Sequence, residues 1–199
     1  MGRPDAGTVF DVSGSTGLDV KAIVCLAGSI GAGKSTVTKE LAECLPGSVV
    51  RSFGDVVRAE ARALGRPTDR HTLQEVGLLL IEGGWPQFVD LLLEGLDDDV
   101  SALIVDGTRH VPPVDELRSR YPQVPTYLVF VQVESEVSRD RLSKRGEAPS
   151  AMSHLIESEL GAVEVHANLV VDGTLPIDAI IGTICQLPGV RSLRKVQGE

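Results

Sequence analysis

Residues 22–36 read AIVCLAGSIGAGKST. The first seven are an unbroken apolar run of strand length, and the next five form a glycine-rich turn. From Lys34 to about Leu45 a helix is expected, because Val37, Leu41 and Leu45 fall on one face and Pro46-Gly47 would stop it. Inside this stretch, Gly28-Ser29-Ile30-Gly31-Ala32-Gly33-Lys34-Ser35 satisfies G-x-x-x-x-G-K-[ST] between a strand and a helix, the context that gives the pattern its meaning. Glycines let the main chain curl so that successive N–H groups face one point, and the helix N-terminus adds partial positive charge there. Such a cup suits a polyphosphate. Lys34 would reach its outer phosphates and the Ser35 hydroxyl would hold Mg2+.

Outward from this motif the chain keeps alternating. Strand-like runs SVVRSF, ALIV, TYLVFVQV and NLVVD join the first, and they are separated by helical patterns at about 55–64, 69–82, 86–96, 114–121, 134–145, 151–163 and 177–187. Strands of continuous apolar character alternating with helices predict a parallel sheet covered on both faces. The expectation is an α/β protein of three layers, α/β/α, with five parallel strands. Residues 1–19 carry no sustained period and are expected to form a flexible leader; 20–190 form the domain and 191–199 a C-terminal tail.

The 199 residues suit a single domain, and 28 acidic against 19 basic side chains give a net charge of -9. That balance argues against an extended nucleic acid as partner, since phosphate-backbone binding needs many cations. No apolar run reaches the ~18 residues of a membrane span, so a cytoplasmic location without membrane partners is expected. Cys25, Cys44 and Cys185 are far apart in apolar surroundings, which reads as structural thiols rather than a metal or disulfide framework.

The second half of the site is sought at the ends of the later strands. Asp106 closes the ALIV run, at the edge where open α/β sheets bind their ligands, and could hold Mg2+ directly or through water. Arg109 follows on the same loop, and Arg58 lies one turn into the helix after the preceding strand. Arg141 and Arg145, spaced i, i+4, share a helical face. Guanidinium groups bind phosphate in a bidentate way and stay charged, so these cations around one phosphate loop read as a clamp for phosphoryl transfer. A phosphate acceptor needs no general base; a hydroxyl acceptor would, and Asp55 is the best-placed candidate.

These residues resemble the nucleoside monophosphate kinase group of P-loop kinases. GSIGAGKST, FGDVVR, the strand ending in DGTR and the helix DRLSKR stand in that family's order. In detail, RSFGDVVRAEARALG, TDRHTLQEVG, VDGTRHVPPVDELR and ANLVVDGTLPID resemble phage deoxynucleotide monophosphate kinases and small AAA-like or dephospho-CoA-kinase-like proteins. The resemblance implies a P-loop NTPase fold with acceptor-binding helices at about 54–96 and a short lid at about 146–163. It implies that residues Gly28, Ser29, Ile30, Gly31, Ala32, Gly33, Lys34, Ser35 and Thr36 hold the phosphates of ATP. Lys34, Arg58, Arg109, Arg145 and Asp106 would be catalytic, and Ser35 and Asp106 would serve Mg2+. Asp55, Arg58, Gln74 and Arg109 would take the acceptor, and Arg141 would lie against the donor base.

The expected function is ATP-dependent phosphoryl transfer to a small-molecule nucleotide, a nucleoside or deoxynucleoside monophosphate, by a monomer or homodimer. The alternatives are a hydroxyl kinase resembling dephospho-CoA kinase and a nucleotide-binding module with little turnover. One departure from the family stands out. Between Arg145 and Arg191 there is no Lys or Arg, so the alternatives are slow catalysis, a cation from Arg191, Arg194 or Lys195 or from a partner chain, or no such cation at all.

Overall fold

The central element is β1 (Ala22–Gly28), all seven residues of which are buried. In the computed structural model, which describes residues 20–97, 99–144, 146 and 160–194, it is followed by α1 (Lys34–Cys44), β2 (Ser48–Ser52), α2 (Phe53–Ala63), α3 (Arg70–Glu82), α4 (Trp85–Leu93) and β3 (Ala102–Asp106). Then come α5 (Pro112–Arg120), β4 (Thr126–Gln132), α6 (Ser135–Lys144), helical residues 160–165 (α7), β5 (Leu169–Asp172) and α8 (Ile177–Ile184). The strands form one sheet in the order β2-β3-β1-β4-β5, parallel throughout. The leader 1–19, most of the lid and Lys195 lie outside the described residues.

Alternation along β1 explains the three layers. Ile23, Cys25 and Ala27 join one core with Phe53, Phe88, Val89, Leu92, Val114 and Leu117, under α2, α4 and α5. Ala22, Val24 and Leu26 join the other with Val37, Leu41, Leu45, Ile180, Ile181 and Ile184, under α1 and α8. Successive side chains of a strand point to opposite faces, so a central strand with helices on both sides must be apolar at every position.

Some element ends differ from those expected, each for a local reason. Phe53 opens α2 rather than ending β2, because Ser52 caps the helix and its hydroxyl accepts from the Asp55 amide at 3.4 Å. The fourth helix stops at Leu93, before Gly95 at φ 65° turns the chain. Cys44 is only partly buried, while Cys185 is buried and burial pushes its thiol pKa up. Burial pushes the Cys25 thiol up to about 12, which keeps it unreactive. Among the described residues no single helix is long and apolar enough to cross a membrane; α3 and α4 reach that test only together, bent by 115°.

The side on which strands are added switches at β1: the chain builds β2 and β3 on one side of it, then β4 and β5 on the other. A crevice therefore opens beyond the carboxyl end of β1, between loops that leave in different directions. Gly28 stands at its mouth. At φ 139°, it lies so close to β4 that a Cβ would sit 2.3 Å from the Val131 carbonyl oxygen. Gly28→Ala should therefore lower stability by about 3 kcal/mol, the sum of backbone strain and overpacking. Gly95→Ala, also at positive φ but with no atom within 4 Å of the added carbon, should cost only about 1 kcal/mol. Urea unfolding midpoints of the two variants check the difference.

Candidate functional site at the β1–α1 loop

The loop from Gly28 to Gly33 is shaped by what its carbonyls bond. The Ser138 hydroxyl donates to the Ile30 carbonyl, and Arg141 Nη1 donates to the carbonyls of Gly31 at 3.4 Å and Ala32 at 3.1 Å. In a trans peptide the N–H points opposite to the C=O, so carbonyls turned toward α6 send the amides of Gly31 and Gly33 the other way, while the Ala32 amide donates to the Ser29 carbonyl at 3.2 Å. Gly31 and Gly33 adopt φ 84° and 97°, conformations open to glycine at little cost. Gly33 also caps α1, whose N-terminus faces the loop.

Lys34 lies back across this loop. Its Nζ donates to the carbonyls of Gly28 at 2.7 Å and Ser29 at 2.8 Å. Burial pushes its pKa down to about 8; the Asp106 carboxylate works against that shift and the Arg109 guanidinium with it. The three charged groups are thus electrostatic neighbours. Asp106 Oδ1 is buried and has no hydrogen-bond partner, a costly state for a carboxylate oxygen and a position suited to a cation or its water. Ser35 and Thr36 are exposed on the first turn of α1.

Of the other residues expected at the site, Arg58 stands on the first turns of α2, bound to Asp55 Oδ1 through Nη2 at 2.6 Å and Nε at 3.2 Å. Ser52 pairs in register with Asp106, so α2 starts at the same sheet edge as the loop after β3. Arg109 is exposed on that loop. Gln74 is exposed on α3, and Arg145 lies outside the described residues. Arg141 is committed to main chain: besides the loop carbonyls, its Nη2 donates to the Gly173 carbonyl at 2.9 Å.

A cavity of about 390 Å3 opens on the outer side of the loop, lined by Gly33, Thr36, Arg141, Lys144, Leu175 and Ile177 among others. Three contributors went unnoticed in the sequence. Ser138 anchors the loop; Lys144 brings a cation to the cavity rim while paired with Asp140 at 2.7 Å. Gly173 passes so near the loop that a Cβ would lie 2.7 Å from the Ala32 carbonyl oxygen. A signal existed for Gly173, since β3 and β5 both run into Asp-Gly-Thr, at 106–108 and 172–174.

The tail arginines are a correction. Arg194 acts on Cys185 at the C-terminal end of α8, and Gly189 packs on Lys21 and Ala22 at the start of β1. Arg191 and Arg194 therefore sit at the sheet edge opposite the loop and cannot replace a lid cation.

A family model for an AAA domain matches residues 24–162. The chain belongs to this AAA domain family. A UPF0200 protein of Thermococcus sibiricus is 25% identical over 135 residues, covering 66% of this chain and 70% of the relative. Among solved structures, the tunicamycin resistance protein of Deinococcus radiodurans is similar with a TM-score of 0.61 and 21% identity, over 83% of this chain and 94% of that one. Shikimate kinase from Aquifex aeolicus is similar with a TM-score of 0.55 and 18% identity, over 82% and 94%. This AAA domain thus has the three-layer fold of P-loop kinases, with a five-stranded parallel sheet.

The depressed pKa of Lys34 has a consequence for anion binding by this AAA domain. Below pH about 8 the folded protein carries an ammonium on the loop, and above it the ammonium is lost. An anion seated there raises the pKa again, so binding takes up a proton. Affinity for tripolyphosphate should fall by up to about tenfold per pH unit above 8, until the pKa of the complex is passed. Calorimetric titrations at pH 7, 8 and 9 test this, and Lys34→Met should bind weakly with no such slope.

Proposed function

We propose that this AAA domain is an ATP-dependent, Mg2+-assisted phosphotransferase whose acceptor is a nucleoside or deoxynucleoside monophosphate. The observation that carries the reading is the glycine-rich β1–α1 loop with Lys34 laid across it onto the Gly28 and Ser29 carbonyls, beside the strand β3 that ends in the buried, unpartnered Asp106 Oδ1. The loop amides and Lys34 would hold the β- and γ-phosphates of ATP. The donor base would enter the cavity beside Thr36 and Arg141, where Leu175 and Ile177 offer apolar surface. Ser35 and Asp106 would hold Mg2+, for which the unpartnered Asp106 Oδ1 is a fitting ligand or water acceptor. Bound there, Mg2+ would neutralise charge on the transferring phosphate.

On the acceptor side Arg58 and Arg109 would grip the monophosphate. An acceptor phosphate oxygen then attacks the γ-phosphorus while the bond to the β-phosphate bridge breaks, giving ADP and a diphosphate. Because that oxygen is already ionised, positioning and fixed positive charge suffice. In this reading Asp55 orients Arg58 rather than taking a proton, in keeping with the two hydrogen bonds between them. Lys144, at the cavity rim, is the described cation nearest to the segment where the family's lid arginines are missing. Arg145 would act at the start of that lid, and Gln74 would read the acceptor base.

A second reading rests on the neighbours. Shikimate kinase and a gluconokinase share the fold and are named for acceptors with hydroxyl groups. For a hydroxyl acceptor Asp55 would be the base.

Incubation with MgATP and a panel of nucleoside and deoxynucleoside monophosphates, dephospho-CoA, shikimate and gluconate, with ADP release measured for each, separates these readings. A monophosphate should respond most strongly. Arg109→Ala should lower kcat/KM by about 100-fold or more, whereas Asp55→Asn should cost a phosphate acceptor far less than a hydroxyl acceptor. ADP release from none of the acceptors would leave a nucleotide-binding module.

A further inference from the structure

Arg141 on α6 joins two separate loops. Its Nη1 donates to the Ala32 carbonyl at 3.1 Å and, more distantly, to that of Gly31 at 3.4 Å, while its Nη2 donates to the Gly173 carbonyl at 2.9 Å. The first two carbonyls belong to the β1–α1 loop and the third to the turn between β5 and α8. The two segments also meet directly. A Cβ on Gly173 would lie 2.7 Å from the Ala32 carbonyl oxygen and 2.8 Å and 2.9 Å from Cγ1 of Val133 and Val131, so glycine is what lets the turn come this near.

The turn is stiffened by its own bonds. Asp172 Oδ1 accepts from the Thr174 amide at 2.8 Å and hydroxyl at 2.6 Å, the Leu175 amide donates to the Asp172 carbonyl at 3.2 Å, and the Gly173 amide donates to the Gln132 carbonyl at 2.7 Å. Leu175 and Ile177, which follow, line the same cavity as Gly33 and Thr36 at the start of α1. Arg141 therefore binds the loop to one wall of that cavity. A planar fork suits the task, since each Nη meets a different loop, whereas a lysine would bring one nitrogen to both.

From these contacts we infer that Arg141 is a positioning residue: it makes the β1–α1 loop and the β5–α8 turn one unit and acts on the donor's phosphates through main-chain carbonyls rather than on the donor base. The inference rests on the reading of the loop as the seat of the ATP phosphates, and it gives Arg141 a different role from the base contact that the family resemblance implies. With the Ala32 carbonyl tied to Arg141, the Gly33 amide on the same peptide keeps one direction before any anion arrives. Without the tie the loop must be ordered on binding, which weakens affinity for the phosphates whether or not a base is attached.

Titration calorimetry with tripolyphosphate, which has phosphates and no base, and with ATP tests this, each variant being first checked for folding by its urea midpoint. Arg141→Met should weaken tripolyphosphate binding by about tenfold, the scale of one lost charge-assisted hydrogen bond, and ATP binding by no more than that. Arg141→Lys keeps the charge beside the cavity and should fare little better. Arg51→Met is the control. Arg51 also bonds main chain, the Glu94 and Gly95 carbonyls at 3.4 Å and 3.0 Å, but from β2, two strands away from β1, so its loss should leave both affinities unchanged. Unchanged tripolyphosphate affinity in Arg141→Met, full affinity in Arg141→Lys, or a loss for ATP several times that for tripolyphosphate would overturn the inference. If Arg141→Met does not fold, Arg141→Lys decides by the same outcomes. Failure of the unsubstituted protein to bind either compound would instead remove the polyphosphate reading of the loop, and this inference with it.

Discussion

The site depends on the direction in which a few carbonyls point. Ile30, Gly31 and Ala32 turn theirs outward to Ser138 and Arg141 on α6, so the amides of Gly31 and Gly33 on the same peptide planes point the opposite way, while the Ala32 amide closes the turn on the Ser29 carbonyl. Glycine at 31 and 33 permits the bend, and the close approach of Gly28 to Val131 and of Gly173 to Ala32 leaves room for no other residue there. The shape of the loop is therefore maintained by groups more than 100 positions away in the chain. A buried lysine can be kept beside it because the same loop supplies carbonyls to Lys34.

Around this loop the fold separates two kinds of surface. Toward α1, α6 and α8 lies a cavity with apolar walls and two cations, Arg141 and Lys144, at its edge. Toward α2 and the loop after β3 lie the Asp55–Arg58 pair and Arg109. The parallel sheet produces this division. With β1 central, the chain first builds one side and then crosses to the other, so the two sides come from different stretches of sequence. The two sides of the one glycine-rich loop therefore differ in chemistry.

The sheet and its helices were legible because they rest on short-range pattern. A continuous apolar run marks a strand covered on both faces, and AIVCLAG is buried throughout. Helix ends were less legible, since they turn on single capping bonds such as that of Ser52 to Asp55. The loop motif gave Lys34 and Ser35 their position, and strand ends gave Asp106. Ser138 carries no such mark: a serine on a helix facing a loop is indistinguishable in sequence from one facing water.

By itself the sequence determined where a polyphosphate could be cradled and that the cradle stands at the end of an apolar central strand, because glycine placement and apolar period act over a few residues. Only the tertiary structure decided what each charged or aromatic side chain holds. Arg141 bonds carbonyls from two separate loops, Asp55 takes Arg58, the tail arginines fall at the opposite sheet edge, and Trp85 meets His110. Those pairings depend on strand order and helix packing, which bring together residues that no local pattern connects.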